Sequence, residues 1–260
     1  MPPNDHPATE PPDPSGRTPP AAERTAPGVQ RMFDRVAPRY DLANTVFSLG
    51  QDRSWRQAAA RATRLAAGEV AVDVACGTGA LTRDLQALAP EAVVVGMDFS
   101  HGMLARARPT GGAESVPPDP PEPRLRLAAA DALALPLADA SVDVVTIAFG
   151  LRNLPEPGQG LLEFRRVLRP GGRLVVCEFS TPVVPVFREV YRRYLTRLMP
   201  VAARRLTSDP EAYQYLARSI GAWPDQPGLA RWLQEAGFTA VAWRDLSGGI
   251  VALHRGVASR

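Results

Sequence analysis

The stretch EVAVDVACGTGALTRDL, Glu69 to Leu85, decides the fold. Its first half is a short apolar run rich in β-branched residues, the pattern of a buried strand, and ALTRDL at its end begins the spacing of a helix. Between them stand Gly77 and Gly79, which permit a tight turn and let the backbone approach a ligand closely. Outward from this unit, strands and helices alternate. ALTRDLQALA reads as a helix, EAVVVGMDF as a strand and SHGMLARAR as a helix; further on, RLRLAAAD and SVDVVTIAF read as strands, QGLLEFRRVLR as a helix and GRLVVCEFS as a strand. The alternation predicts a doubly wound α/β domain with crossover helices. The C-terminal part departs from it: PGLARWLQEAGF is a helix closed by Gly237, and TAVAWRDLSGGIVALHRG gives two strands joined by a Ser-Gly-Gly turn, which must run antiparallel. The expected architecture is a mostly parallel seven-stranded sheet with a C-terminal antiparallel hairpin and helices on both faces.

With 260 residues, 45% of them hydrophobic, the chain can bury one sizeable core, and residues 28–260 are read as one domain. Residues 1–27 hold nine of the 27 prolines and almost no large apolar side chains, which predicts a disordered tail. Residues 109–123, PTGGAESVPPDPPEP, hold six more and read as an inserted surface loop. A formal charge of +3 argues against nucleic acid as the main partner, since phosphate binding calls for a concentrated basic face. All 30 basic residues are Arg, a bias that marks a GC-rich genome more than a function. Cys76 and Cys177 lie too far apart in sequence to suggest a metal site or a disulfide framework. No apolar run reaches the roughly 18 residues of a spanning helix. A cytoplasmic protein is expected, soluble or at most lying on the inner face of the cell membrane.

The candidate site is a row of polar groups at successive strand ends. The nicotinamide fingerprint is incomplete, because Thr82 stands where its third Gly would be. Asp98, at the end of the second strand, can accept both ribose hydroxyls of a nucleoside. Asp131 with Ala132, after the third strand, suits an adenine amine, although an acid at a strand end also serves as a turn former. Asp73, inside the first strand, is a buried acid that needs a donor, and it suits orientation of the loop or contact with a ligand's ammonium. At the end of the fourth strand, IAFGLRN (Ile147 to Asn153) sets a guanidinium and an amide directly after Gly150, which is read as turning the chain without placing a side chain in the pocket. An adenosyl ligand without a pyrophosphate clamp is what S-adenosylmethionine presents.

Three further segments narrow the reading. FDRVAPRYDLANTVFSLGQDRSWR, TIAFGLRN with PGGRLVVCEFSTP, and YLARSIGAWPDQPGLARWLQEAGFTAVAWRDLSGGIVALHRG together resemble the menaquinone/ubiquinone biosynthesis C-methyltransferase family, over about Val29 to Gly256. The resemblance implies a Rossmann-like S-adenosylmethionine-dependent methyltransferase fold and methyl transfer to a ring carbon of a polyprenylated quinol, with demethylmenaquinol favoured over a ubiquinone precursor. It implies cofactor contacts at Thr78, Asp98, Asp131 and Ala132, alongside the loop residues Asp73, Gly77 and Gly79. A further contact position in that family often carries Ser where this chain has Ala148, so only a backbone or apolar contact carries over. The inserted loop at 109–123 departs from the shorter family pattern.

Displacement at a sulfonium methyl requires no metal, but the quinol must be made electron-rich, which calls for a base or an oxyanion stabiliser. Arg152 is a poor proton acceptor and is read as the oxyanion stabiliser, with Asn153 fixing orientation and water carrying the proton towards Asp131. The alternative is that Arg152 pairs with Glu156 or Glu178 to hold its loop. Residues 183–218 are read as a lid on the substrate side. Within them PVFREVYRRYLTRLMPVAARRL is a basic amphipathic helix, able to pack on the sheet or to lie on an anionic membrane. Phe33, Tyr40, Leu42 and Trp55 are read as core aromatics, with Tyr40 able to reach the substrate pocket, and His254 as structural. The oligomeric state stays open, a homodimer included. Two readings of other classes remain: a NAD-dependent oxidoreductase, and a noncatalytic lipid or quinone carrier with a vestigial nucleoside site.

Overall fold

The computed structural model describes Ser48 and residues 50–107, 125–194 and 210–259. The tail 1–27, the loop 109–123, Phe33, Tyr40, Leu42 and part of the lid segment lie outside the described residues.

The elements follow the alternation of the sequence. Helix α1 (Asp52–Thr63) precedes β1 (Val70–Val74), α2 (Ala80–Leu88), β2 (Val93–Asp98), α3 (His101–Ala107), β3 (Arg126–Ala129) and β4 (Val142–Ala148). A 3-10 turn, Leu151–Asn153, leads into α4 (Pro157–Val167) and β5 (Leu168–Phe179). Helices α5 (Pro185–Arg193), α6 (Pro210–Gly221) and α7 (Gln226–Glu235) come next, and β6 (Phe238–Leu246) with β7 (Val251–Ala258) closes the fold. The strands form one seven-stranded sheet in the order β3-β2-β1-β4-β5-β7-β6. β7 runs antiparallel to both β5 and β6, and β1 to β5 pair in parallel.

Side chains alternate across the sheet as the strand period requires. Ala71, Val94, Val144 and Val175 join Trp55, Ala59, Leu81 and Leu85 in one core, under α1 and α2. Val72, Val74, Val145, Leu174 and Val176 join Leu161, Phe164, Leu229 and Leu233 in the other, under α4 and α7. One boundary differs from the expectation: α4 stops at Val167 instead of Arg169, and β5 starts at Leu168 rather than Gly172. Leu168 is buried and pairs with Val142, and Pro170 cannot continue a helix. The register then shifts between Val142 and Val144 to absorb the extra length.

The sheet positions the site. Chain order reverses between β1 and β4, so the loop after β1 leads towards β2 and β3 while that after β4 leads towards β5. Open α/β sheets bind ligands in the crevice such a reversal leaves.

Candidate active site

The loop after β1 is held by a carboxylate from β2. Asp98 is buried, and its Oδ2 accepts from the Gly77 amide at 2.8 Å while Oδ1 accepts from the Ser100 amide at 2.8 Å. Gly77 and Gly79 both take left-handed backbone conformations, with φ of 56° and 78°. A Cβ on Gly77 would meet nothing within 4 Å, so the backbone there faces open space, whereas one on Gly79 would lie 2.8 Å from a methyl of Leu125. Gly79 caps α2, and Arg83 ties the loop down by donating to the Thr78 carbonyl at 3.0 Å and to that of Ala107 at 2.9 Å. Asp73 is 1% exposed and accepts from the hydroxyls of Thr82 at 2.7 Å and Thr146 at 2.8 Å. Burial raises its pKa to about 6, and the two hydroxyl bonds oppose that rise.

Next to it the end of β4 carries backbone strain. Phe149 has φ of 57° and Ala75, after β1, has φ of 52°, both unusual for residues with a Cβ. Gly150 itself is right-handed, at φ −105°. The reading that Gly150 makes the turn is therefore corrected: Phe149 makes it, and Gly150 is needed because a Cβ there would lie 2.6 Å from the Ala75 side chain. The β1 and β4 loops touch at this point.

Arg152 and Asn153 account for the polar pair after Gly150. Arg152 Nη1 donates to the Phe149 carbonyl at 2.5 Å and to Glu178 Oε1 at 2.8 Å, and Asn153 Nδ2 donates to the same carbonyl at 3.1 Å. The two side chains thus hold the strained residue in place. Glu178, at the end of β5, is fully buried and also accepts from the Phe179 amide at 2.9 Å and, through Oε2, from the Arg152 amide at 3.3 Å. Burial pushes its carboxyl pKa up, against the pull of the Arg152 charge. The guanidinium lies 5.1 Å from the centre of the Phe179 ring. Among the described residues, Arg152 Nε, Asn153 Oδ1 and Ser180 Oγ are buried without a hydrogen-bond partner. Phe149 and Phe179 are 5.1 Å apart and both pack on Trp55, at 5.9 and 6.4 Å.

A model of the ubiE/COQ5 methyltransferase family matches residues 21–258. The chain belongs to that family. As a family member it is 50% identical over 232 residues to the demethylmenaquinone methyltransferase of Corynebacterium kroppenstedtii, covering 89% of this chain and 95% of that one. It is also 50% identical to the enzyme of the same name from Mycobacterium marinum, over 91% of this chain and 96% of that one. Among solved structures, a methyltransferase of Haloferax volcanii in complex with the Trm112 activator aligns with TM-score 0.61 at 19% identity, over 88% of this chain and 98% of that one. A SAM-dependent methyltransferase of Thermotoga maritima aligns with TM-score 0.59 at 18% identity, over 89% and 100% of the two chains. These last two likenesses concern the fold.

Within this ubiE/COQ5 family member the expected site residues fall into connected groups. Asp98 touches the Gly77 loop directly, and its carbonyl accepts from the Ala130 amide, next to Asp131. Asp131 is exposed and its Oδ1 accepts from the Leu133 amide at 2.9 Å, so in the structure it forms a turn, with Ala132 buried behind it. Ala148 ends β4 beside Cys177. Of the two partners left open for Arg152, Glu178 is the one it meets. His254 is fully buried, with Nε2 2.9 Å from the Gln226 carbonyl. Tyr40 lies outside the described residues. The sequence offers Glu178 only as one of two alternatives and does not mark Arg83, Phe149 or Phe179, because no spacing signals a pairing across 26 residues or a left-handed Phe.

Proposed function

We propose that this protein transfers the methyl group of S-adenosylmethionine to a ring carbon of a polyprenylated quinol, converting demethylmenaquinol to menaquinol. The observation that carries the acceptor is 50% identity to demethylmenaquinone methyltransferases along nearly the whole chain. The cleft after β1 fits the donor: Gly77 presents bare backbone, Thr78 and Gly79 continue the cradle, and Asp98 stands beside it. A carboxylate accepts about four hydrogen bonds, so holding the loop is compatible with accepting a ribose hydroxyl. Asp131, Ala132 and the backbone at Ala148 would flank the adenine and the sulfonium. When bound, S-adenosylmethionine supplies a methyl group activated for in-line displacement.

The chain's own residues then have separate tasks. Asp73 fixes the β1 strand to α2 and β4 through two hydroxyls, which keeps the cradle in register. Arg152, always charged, faces the acceptor side and stabilises a quinolate oxygen, lowering the pKa of that hydroxyl; Asn153 orients the ring. Water takes the hydroxyl proton before attack; afterwards the ring proton leaves to restore aromaticity and the oxygen is reprotonated, so one proton in all is carried away by water. Tyr191 of α5 and Tyr194 just after it, 6.2 Å apart and stacked, pack with Phe179 and Ile220 and roof this side. Two apolar side chains of α5 also point outward: Val186 and Val190 are 76% and 57% exposed. Such a face beside arginines suits contact with the bilayer that holds the prenyl tail, though Glu189 pairs with Arg192 and Arg193 and tempers its charge.

Purified protein with labelled S-adenosylmethionine and demethylmenaquinol in vesicles should yield labelled menaquinol, and a ubiquinone precursor should be a poorer acceptor. Label transfer to the ubiquinone precursor alone would move the activity to the other quinone, and a melting temperature raised by NAD but not by S-adenosylmethionine would end the methyltransferase reading.

A further inference from the structure

The Arg152–Glu178 pair is an unusual way to fill a core. Glu178 continues the row of Leu174 and Val176 on β5, where an apolar side chain would complete the layer, and it is fully buried. Buried ion pairs are commonly no more stabilising than apolar side chains of the same volume, so stability alone does not account for a carboxylate here. Its contacts are more informative. One carboxylate accepts from both the backbone amide and the guanidinium of Arg152, while also accepting from the amide of Phe179, whose ring covers that guanidinium. Oε1 takes Nη1 at 2.8 Å, and Nη1 also serves the Phe149 carbonyl. The other side of the fork is left with Nε buried and unpartnered among the described residues. An orphaned buried donor calls for an explanation, and a guanidinium whose direction is set at Nη1 rather than at Nε is one.

We propose that Glu178 is a positioning residue for methyl transfer: by gripping Arg152 at its amide and at Nη1, it fixes the direction in which the guanidinium presents its charge to the acceptor oxygen. The inference rests on the quinol reading above and adds a residue to it. Glu178 touches no substrate; it acts through Arg152. The same grip closes the β4 loop onto β5, so the strained Phe149, Arg152 and Glu178 are joined by one chain of hydrogen bonds.

Glu178→Gln tests this with little change of shape. Its amide oxygen can still accept from Nη1, but its NH2 would then face the Arg152 backbone amide, donor against donor, so the double grip is lost. Two readouts are taken on the full-length protein. The first is the NMR resonance of the Arg152 Nε–H, assigned by its absence in an Arg152→Ala/Glu178→Gln protein; it should be resolved in the wild type and broaden or shift in Glu178→Gln. The second is turnover, which should fall tenfold or more with the KM for S-adenosylmethionine unchanged, while Glu178→Asp, one methylene shorter, should recover part of it. An unchanged Nε resonance, or turnover within twofold of wild type, would overturn the proposal. If the wild type transfers nothing to demethylmenaquinol, the acceptor reading fails, and the resonance still decides whether Glu178 sets Arg152.

Discussion

The carboxyl ends of β1 and β2 and those of β4 and β5 lie side by side in one sheet, yet they are built differently. The first pair is made of backbone and small polar groups: two left-handed glycines, a carboxylate that binds amides, and an acid held by two threonines. The second is made of large side chains: an ion pair, three packed aromatic rings and a roof of two tyrosines. A glycine loop conforms to a ligand by bringing its main chain close, which suits a nucleoside common to many reactions. A charged fork inside an aromatic wall suits one acceptor, because its geometry is set by contacts specific to this chain. The two halves meet where Ala75 touches Gly150.

If that division is right, each half should break in its own way. The largest effect is expected from Arg152→Ala, which strands the Glu178 carboxylate in the core. Losing one partner of a buried pair costs about 3–5 kcal/mol, and the protein should melt far below the wild type. Because the Glu178 pKa is already raised by burial and loses its opposing charge, the deficit should shrink as pH falls and the carboxyl protonates. Adding Glu178→Gln should restore much of the melting temperature. Failure of that second substitution to help, measured by thermal unfolding between pH 5 and 8, would show that the pair is not the reason for the loss.

A smaller effect is expected from Asp73→Asn in the other half. The Asp73 pKa is raised to about 6, so the folded state binds its proton more tightly than the unfolded chain does. Its contribution is favourable near pH 4 and is lost as pH rises towards 6 and stays lost above. The ceiling is about 3 kcal/mol for a shift of roughly two units. An asparagine accepts from one threonine and donates to the other, so the melting temperature of Asp73→Asn relative to wild type should rise between pH 4 and 6 and then level off. A flat difference would mean that the acid is not stabilised as a neutral group.

The same contrast explains what could be read from residues alone. The β1 loop was legible because left-handed backbone at Gly77 and Gly79 restricts the residue type, and because an acid nineteen residues on falls at the next strand end by the βαβ repeat. Strand periodicity gave the sheet and its final hairpin. The β4 and β5 half was only partly legible. IAFGLRN announced a polar turn, but the positive φ sits on Phe149, where nothing in the residue type signals it, and Glu156 and Glu178 were equivalent until the register of β4 with β5 brought one of them to Arg152. Asp131 shows the opposite limit: it lies two residues past β3, in a turn, and a turn and an adenine contact ask for the same residue there.

Calorimetric titration of S-adenosylmethionine into two variants tests the division most directly. Asp98→Ala removes a charge-assisted acceptor, at roughly 1.5–3 kcal/mol per bond, and should weaken binding by at least about tenfold. Arg152→Ala/Glu178→Gln should bind S-adenosylmethionine as the wild type does, while its turnover falls by about a hundredfold or more. Wild-type affinity in the Asp98 variant, or parallel loss of affinity in the Arg152 and Glu178 variant, would contradict the account.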